Sequence, residues 1–397
     1  MKKQIVVIGG GASGLMAAIQ AARAGASVTV LEKNDRPGKK LLATGNGRCN
    51  MTNLRQGREY YRGGDPDRAF EIVSRFDVHR TIAFFSSVGI YTRNREGWIY
   101  PGTGQSSSVL RVLLMEAEYL KVKIKTRETV REIRREKGGS FLTVTEGWQY
   151  PSEAVIVACG SPASAVEGSS GLAEHLAKSL GHTFVPFLPS LAPLRCQGGW
   201  FSKWAGVRAT GAASIYLDGE MAGREAGELQ LTDFGVSGIP VFQLSRYAAA
   251  AIEQGRGVEL SLDFLPDYDR ESLPDFLAAR QRQCPYKNVG ELLVGLLPDR
   301  LIPLLVQEGQ SLEQTASKIK EFRMNVKGAA SMKQAQVCSG GVPLGELTEN
   351  LESRMAKGVY FTGEAADVDG ACGGYNLQWA WSSGAAAGIH AAGGDGQ

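Results

Sequence analysis

The sequence predicts an α/β fold, with a parallel-sheet domain built from both ends of the chain around a middle of different character. Three observations predict it. Residues 4–32 run apolar strand, glycine turn, small-residue helix, apolar strand, acid; residues 358–388 run strand, glycine and acid, then a glycine-opened helix; residues 206–238 break into short segments separated by turn residues. At 397 residues the chain is too long for one small core, and at about 150 residues per domain two or three domains are expected.

Each element follows from its residues. Gln4 to Ile8 is a short apolar run of the kind buried in a parallel sheet, Ser13 to Ala24 is a helix of small residues stopped by Gly25, and Ser27 to Leu31 is the second strand. Gly9, Gly11 and Gly14 between them spell G-x-G-x-x-G. The first glycine makes a tight turn, the second lets backbone approach a pyrophosphate, and the third lets helix pack on strand. Phosphates then sit at the helix start beside Ala12 and Ser13, where unpaired N–H groups and the helix dipole favour anions. Glu32 closes the second strand about 20 residues on, where a carboxylate accepts ribose hydroxyls and disfavours a 2′-phosphate. The pattern predicts an adenine dinucleotide site.

The far end of the chain selects FAD over NAD. Val359 to Thr362 reads as a strand, followed by Gly363 and Glu364, a loop, and a helix opened by Gly373 and Gly374. In two-dinucleotide flavoproteins a late strand of this type returns to the N-terminal sheet, its acid meets the ribityl chain, and the helix start points N–H groups at the flavin pyrimidine. Residues 155–160, VIVACG, add an apolar strand ending in Ala158, Cys159 and Gly160.

The stretch LLATGNGRCNMTN, residues 41–53, lacks aliphatic periodicity after Leu42 and is rich in Gly and Asn, which tolerate positive φ. It predicts a loop wrapped around something polar. Between Lys33 and Arg95 thirteen Lys or Arg stand against six Asp or Glu, a local excess of seven in a chain whose net charge is only +3. Such an excess suits a solvated basic face, an anionic substrate or nucleic acid. After residue 205 the short segments of 206–238 predict a small antiparallel barrel or sheet, and residues 268–320 read as short amphipathic helices separated by Pro or Gly.

The segments PGKKLLATGNGRCNMTN, LTDFGVSGIP, CSGGV and GEAADVDGACGGYNLQWAWSSG together resemble the BaiN/RdsA-type (YhiN-like) family of FAD-dependent oxidoreductases, along essentially the whole chain. The resemblance implies a Rossmann-type, two-dinucleotide-binding FAD domain over 1–190 and 338–397, interrupted by a β-barrel insert over 191–265 and 323–337 and a helical subdomain over 266–322. It implies that Lys33, Lys40, Thr44, Gly45, Asn46, Gly47, Arg48, Cys49, Asn50, Val130 and Asp367 join the motif residues in holding the cofactor, with Gly374, Tyr375, Asn376, Leu377 and Gln378 at the last helix. Two departures stand out. Asp233 occupies a position where many members carry His, and Ile239 separates Gly238 from Pro240, so no role of that histidine carries over.

The flavin would carry the redox chemistry while the protein positions substrate and supplies protons. No C-x-x-x-x-C pair and no C-x-x-C pair occurs among Cys49, Cys159, Cys196, Cys284, Cys338 and Cys372, which argues against a disulfide reductase and against a zinc site. No second G-x-G-x-x-G follows a strand, so NADPH or NADH is expected as a transient reductant. No apolar run reaches the roughly 18 residues of a membrane span and no signal segment opens the chain, so a cytoplasmic location, with no membrane or metal partner, is expected. Cys49, beside Arg48 whose charge would lower its pKa, is the first candidate proton donor, ahead of Cys338 and Cys372, and Arg48 is placed with it on the substrate side. Tyr375 and Asn376 are expected to contact flavin, and His79, His175, His182 and His390 receive no catalytic assignment. Three functions compete. The resemblance puts first the reduction of uridine in large-subunit ribosomal RNA to dihydrouridine, with the aromatics Tyr60, Tyr61, Phe84, Phe85, Tyr91 and Trp98 as stacking surfaces. The others are a small-molecule enzyme, either an enone or steroid reductase or an amine oxidase, and a non-catalytic flavin-bearing module.

Overall fold

Five parallel strands form the sheet that positions the site, in the order Val359–Phe361, Ala154–Val157, β1 (Gln4–Ile8), β2 (Ser27–Glu32) and Lys123–Thr126. In this computed structural model, which describes residues 2–164, 166 and 171–394, the sheet belongs to a unit made of Met1–Phe187 and Gln336–Gln397. β1 and Ala154–Val157 are buried apart from Gln4, as a sheet covered on both faces requires. The strand from the far end of the chain is thereby hydrogen-bonded beside Ala154–Val157, with Val157 opposite Phe361. The returning helix, Tyr375–Ala391, lies on helix α1 (Ala12–Arg23). Its Gly384 and Gly388 make that contact close: a Cβ there would stand 2.4 Å from the Ser13 carbonyl oxygen and 2.3 Å from that of Ala17.

The segment 41–53 is more structured than its composition suggests. Lys39–Ala43 is a short helix, Thr44–Gly47 is a distorted turn with Gly45 and Asn46 in the left-handed region, and Thr52–Asn53 is a short strand. That strand pairs with Trp98–Pro101, which in turn pairs with Thr92–Arg95. Leu41, Cys49, Met51 and Thr52 are buried, so the stretch is half core and only half loop.

The inserted unit, Leu188–Ala335, contains a closed barrel whose neighbouring strands run antiparallel in the order Leu194–Cys196, Gly235–Ser237, Glu220–Leu231, Arg208–Leu217, Val258–Asp263 and Phe322–Ala329. Helix Ile239–Glu253 buries Val241, Leu244, Ala248 and Ala251 in the same hydrophobic cluster as barrel residues such as Ile215 and Leu260. The helices Ser272–Gln283, Val289–Leu293, Ile302–Leu305 and Leu312–Lys320 add Leu273, Leu293, Leu305 and Ile319 to it, so barrel and helices share one core. Asn288 with Glu291 and Ser311 with Gln314 form capping boxes that start two of these helices.

Candidate active site

The three motif glycines divide the labour by geometry. Gly9 has φ +105, and a Cβ on it would lie 2.5 Å from the Ala158 carbonyl oxygen; a Cβ on Gly14 would lie 2.0 Å from the Gly9 carbonyl oxygen. Both are required by packing. Gly11 is different: it caps α1 at φ −79, and a Cβ on it would meet nothing within 4 Å. The space in front of Gly11 therefore borders the first turn of α1, whose N–H groups have no partner within the helix. Ala12 and Ser13 form that turn.

Glu32 is held in place rather than free. One carboxylate oxygen accepts from Gly10 N at 2.9 Å, and the other accepts from Asn34 N at 2.8 Å and Asn34 Nδ2 at 2.9 Å. A carboxylate offers about four acceptor positions, so capacity for a ribose hydroxyl remains. Lys33 is exposed, while the Val130 side chain is buried in the hydrophobic core.

The C-terminal motif closes on the same place. A Cβ on Gly363 would lie 2.6 Å from Ser13 Oγ, and Glu364 is 3.8 Å from the corresponding point on Gly160, next to Ala158 and Cys159. Lys40 Nζ donates to Glu364 Oε2 at 2.6 Å. Glu364 Oε1, Thr362 Oγ1 and both amide atoms of Asn50 are buried with no hydrogen-bond partner. Buried polar atoms left unpaired cost about 1–3 kcal/mol each, so the atoms of Asn50 and Glu364, residues that are only partly buried, call for an outside partner, whereas Thr362 is fully enclosed. Asn50 also borders the last helix, because a Cβ on Gly374 would stand 2.9 Å from Asn50 Oδ1. A dinucleotide with a polar ring system fits this set: open backbone at Gly11, a carboxylate at Glu32, and unpaired donors and acceptors beside a second helix start.

Several expected contacts are corrected. Cys49 has φ +57 and is fully buried in the cluster that includes Leu15, Met16, Leu41, Phe85 and Trp381. Burial pushes its thiol up to about 12, and a hydrogen bond with Thr44 offsets this only in part. The expected lowering by Arg48 does not occur, and the thiol has no surface with which to meet a ligand. Cys338 is likewise buried and raised to about 11 by burial and by the charge of Glu364. Tyr375 is buried, stacked on Tyr60 at 4.4 Å and edge-on to Tyr61, so its ring belongs to the core and not to a flavin contact. The Asn376 side chain donates to Gly370 O and accepts from Gly370 N, both at 2.8 Å, and so braces the preceding loop. Gln378 is fully buried: its amide nitrogen lies 2.9 Å from each of Phe76 O, Thr81 Oγ1 and Ser382 Oγ, which take up its two hydrogens, and its oxygen accepts from Thr52 Oγ1. Leu377 packs against the cluster around Trp381. Of these residues only the backbone N–H groups of the helix start remain for a cofactor. Asp367 accepts from Gly64 N at 2.9 Å.

Two features escaped sequence reading. Tyr100 is partly exposed, and Arg95 and Arg48 both bring positive charge near its phenol; burial outweighs them and the pKa is raised. Arg48 itself is exposed, so it and Tyr100 share the open side of the Thr44–Asn50 turn. The hairpin register that brings Tyr100 there is not written in residues 41–53. His182, given no special role from sequence, is a buried bridge: Nδ1 lies 2.7 Å from Glu346 Oε2 and Nε2 lies 2.6 Å from Ser353 Oγ. Ser353 Oγ already accepts from Met355 N and Ala356 N, so it donates to Nε2, and the group is a structural clip. Among the described residues no cluster of His, Cys, Asp or Glu is arranged to hold a metal ion, and no helix is long and apolar enough to cross a membrane.

Comparison with known proteins shows the family. The chain is 40% identical to a 3-dehydro-bile acid delta(4,6)-reductase of Clostridium scindens, over 98% of this chain and 99% of that protein. It is 28% identical to a ribosomal RNA dihydrouridine synthase of Escherichia coli, over 95% of each chain. Among solved structures, 3-ketosteroid delta1-dehydrogenase from Sterolibacterium denitrificans superposes with a TM-score of 0.52 at 11% identity, covering 99% of this chain and 100% of that one, which is a likeness of fold. The family model of the HI0933-like protein Rossmann domain matches residues 3–390. The chain belongs to the HI0933-like family and is an FAD-dependent oxidoreductase.

Proposed function

We propose that the protein is an NAD(P)H-driven reductase of a ring C=C bond conjugated with a carbonyl, and that its substrate is uridine in large-subunit ribosomal RNA, converted to dihydrouridine. The observation that carries the reading is the set of unpaired Asn50 and Glu364 atoms together with open backbone at Gly11, while exposed Arg48 and partly exposed Tyr100 face outward from the adjoining turn. FAD, when bound, supplies the hydride for one carbon of the double bond. Gly11 and the α1 N–H groups would hold its phosphates, Glu32 its ribose, and Asn50 and Glu364, the latter positioned by Lys40, its remaining polar groups. Tyr100 takes the place of Cys49 as the residue holding a proton for the second carbon, because Tyr100 is partly exposed and the Cys49 thiol is buried. Arg48 orients the substrate's anionic or carbonyl group. NADPH or NADH acts as a transient reductant.

The names of the relatives support the reaction class, since a delta(4,6)-reductase and a dihydrouridine synthase both saturate C=C bonds in a ring. The 40% identity to the bile acid reductase favours a second reading, reduction of a small cyclic enone at the same site. The test is nucleoside analysis of large-subunit ribosomal RNA from cells with and without the gene, beside NAD(P)H oxidation by the purified holoprotein with a steroid enone. Gene-dependent dihydrouridine supports the first reading; unchanged ribosomal RNA with enone turnover replaces it by the second.

A further inference from the structure

Four arginines around one small sheet lack carboxylate partners. Arg48, Arg55, Arg93 and Arg95 are exposed, and among the described residues none of them forms an ion pair; what sets them apart from other unpaired arginines such as Arg36 and Arg111 is that they gather around one hairpin with aromatic rings. In the hairpin Thr92–Pro101, Arg93 stands opposite Tyr100 and Arg95 opposite Trp98. Opposed residues share a face. Arg93, Arg95, Trp98 and Tyr100 therefore stand on one side, with the Arg95 guanidinium 5.4 Å from the Tyr100 ring centre, while Ile99 and Pro101 turn inward and are buried. Arg55 flanks this side at Gly97, and the Trp98 ring lies 3.6 Å from where a Cβ on Gly373 would be, just before the helix start at Gly374. The face thus runs from solvent to the edge of the candidate active site.

We propose that this face docks a single-stranded RNA segment, with the arginines on successive phosphates and Trp98 stacked on a base next to the one being reduced; this rests on the ribosomal RNA reading above. A single small carboxylate would need one arginine. Four unpaired cations interleaved with aromatic rings match a polyanion whose bases offer flat faces. The charges on this face have no carboxylate partners, and a phosphate chain would supply the anions.

The experiment compares wild-type holoprotein, Arg93→Gln/Arg95→Gln and Trp98→Ala for binding of a short oligouridylate across a salt series, with FAD content measured for each. Dihydrouridine is also measured in ribosomal RNA from cells whose only copy is the variant. The double arginine variant should keep FAD and lose affinity at low salt, and its slope of log affinity against log salt should be shallower by about 1.4, at ~0.7 per lost phosphate contact on single strands. Trp98→Ala should bind about tenfold more weakly with an unchanged slope. If Trp98→Ala loses FAD, the arginine variant alone decides. Wild-type affinity and slope in the arginine variant, with dihydrouridine intact, overturn the docking face and leave the function standing. Ribosomal RNA without gene-dependent dihydrouridine overturns the function reading, and that result together with no oligouridylate binding by the wild-type holoprotein overturns both.

Discussion

Lys40 Nζ lies 2.6 Å from Glu364 Oε2, joining the short helix after the first nucleotide motif to the acid that follows the returning strand Val359–Phe361, across 324 residues of sequence. The pair is partly buried, and the second carboxylate oxygen of Glu364 has no partner in the protein. Removing the cation leaves a carboxylate that must be desolvated alone. Lys40→Met is expected to cost ~1–2 kcal/mol, between the values for exposed and buried pairs, and to release FAD more readily. The check is FAD absorbance after gel filtration together with a denaturant midpoint; full retention and an unchanged midpoint would show that the pair does not position the acid.

The glycines of the first motif should separate folding from cofactor binding. Gly11→Val introduces no clash in the protein, because nothing stands within 4 Å of its Cβ, yet it fills the space expected for the pyrophosphate. A folded, colourless protein with an unchanged melting temperature is the expected result. Gly14→Val, whose Cβ would be 2.0 Å from the Gly9 carbonyl oxygen, should instead fail to fold stably. Normal flavin content in Gly11→Val would remove the phosphate assignment.

Cys49→Ala should keep FAD and activity while losing about 1 kcal/mol of stability to a small core cavity. The pH dependence adds a second readout. The ordinary thiol value is 9.0 and the folded value is about 12, so above pH 9 the unfolded chain holds fewer protons than the native one. This contribution is fully present below pH 9 and is lost as pH rises toward 12, and Cys49→Ala should make alkaline destabilisation less steep. A large activity loss in Cys49→Ala, with folding and FAD intact, would return the thiol to the reaction.

Tyr100→Phe removes one hydroxyl from the open side of the turn and leaves the Arg95 contact with the ring in place. Substrate reduction is expected to slow about a hundredfold, in the lower range for loss of a general acid, while FAD content and the rate of flavin reduction by NAD(P)H stay the same. Arg48→Gln should instead raise KM more than it lowers kcat, because an orienting cation acts on the bound substrate. Equal activity of Tyr100→Phe and wild type would leave solvent as the proton source.

What the sequence by itself determined is local. The run of β1, the glycine turn, α1 and β2 is written in hydrophobic period and turn chemistry within residues 4–32, and the structure places β1 at Gln4–Ile8 as read, with α1 only one residue out of register at each end. The late strand and the helix start at Gly374 were legible for the same reason. What the tertiary structure decided is which way side chains face. The sequence places Cys49 beside Arg48, its neighbour in the chain, but its left-handed backbone turns the thiol into a core built from Leu15, Phe85 and Trp381, none of them near it in the chain. Asn376 and Gln378 sit at the helix start as expected, yet Gly370, Phe76 and Thr81 occupy their amides, and only the fold brings those groups there. Tyr100 reaches Arg48 through the pairing of Thr52–Asn53 with Trp98–Pro101, a register set by burial of Ile99 and not by any motif in the loop. Backbone conformation is fixed by neighbours in sequence, whereas the burial and partners of a side chain are fixed by neighbours in space.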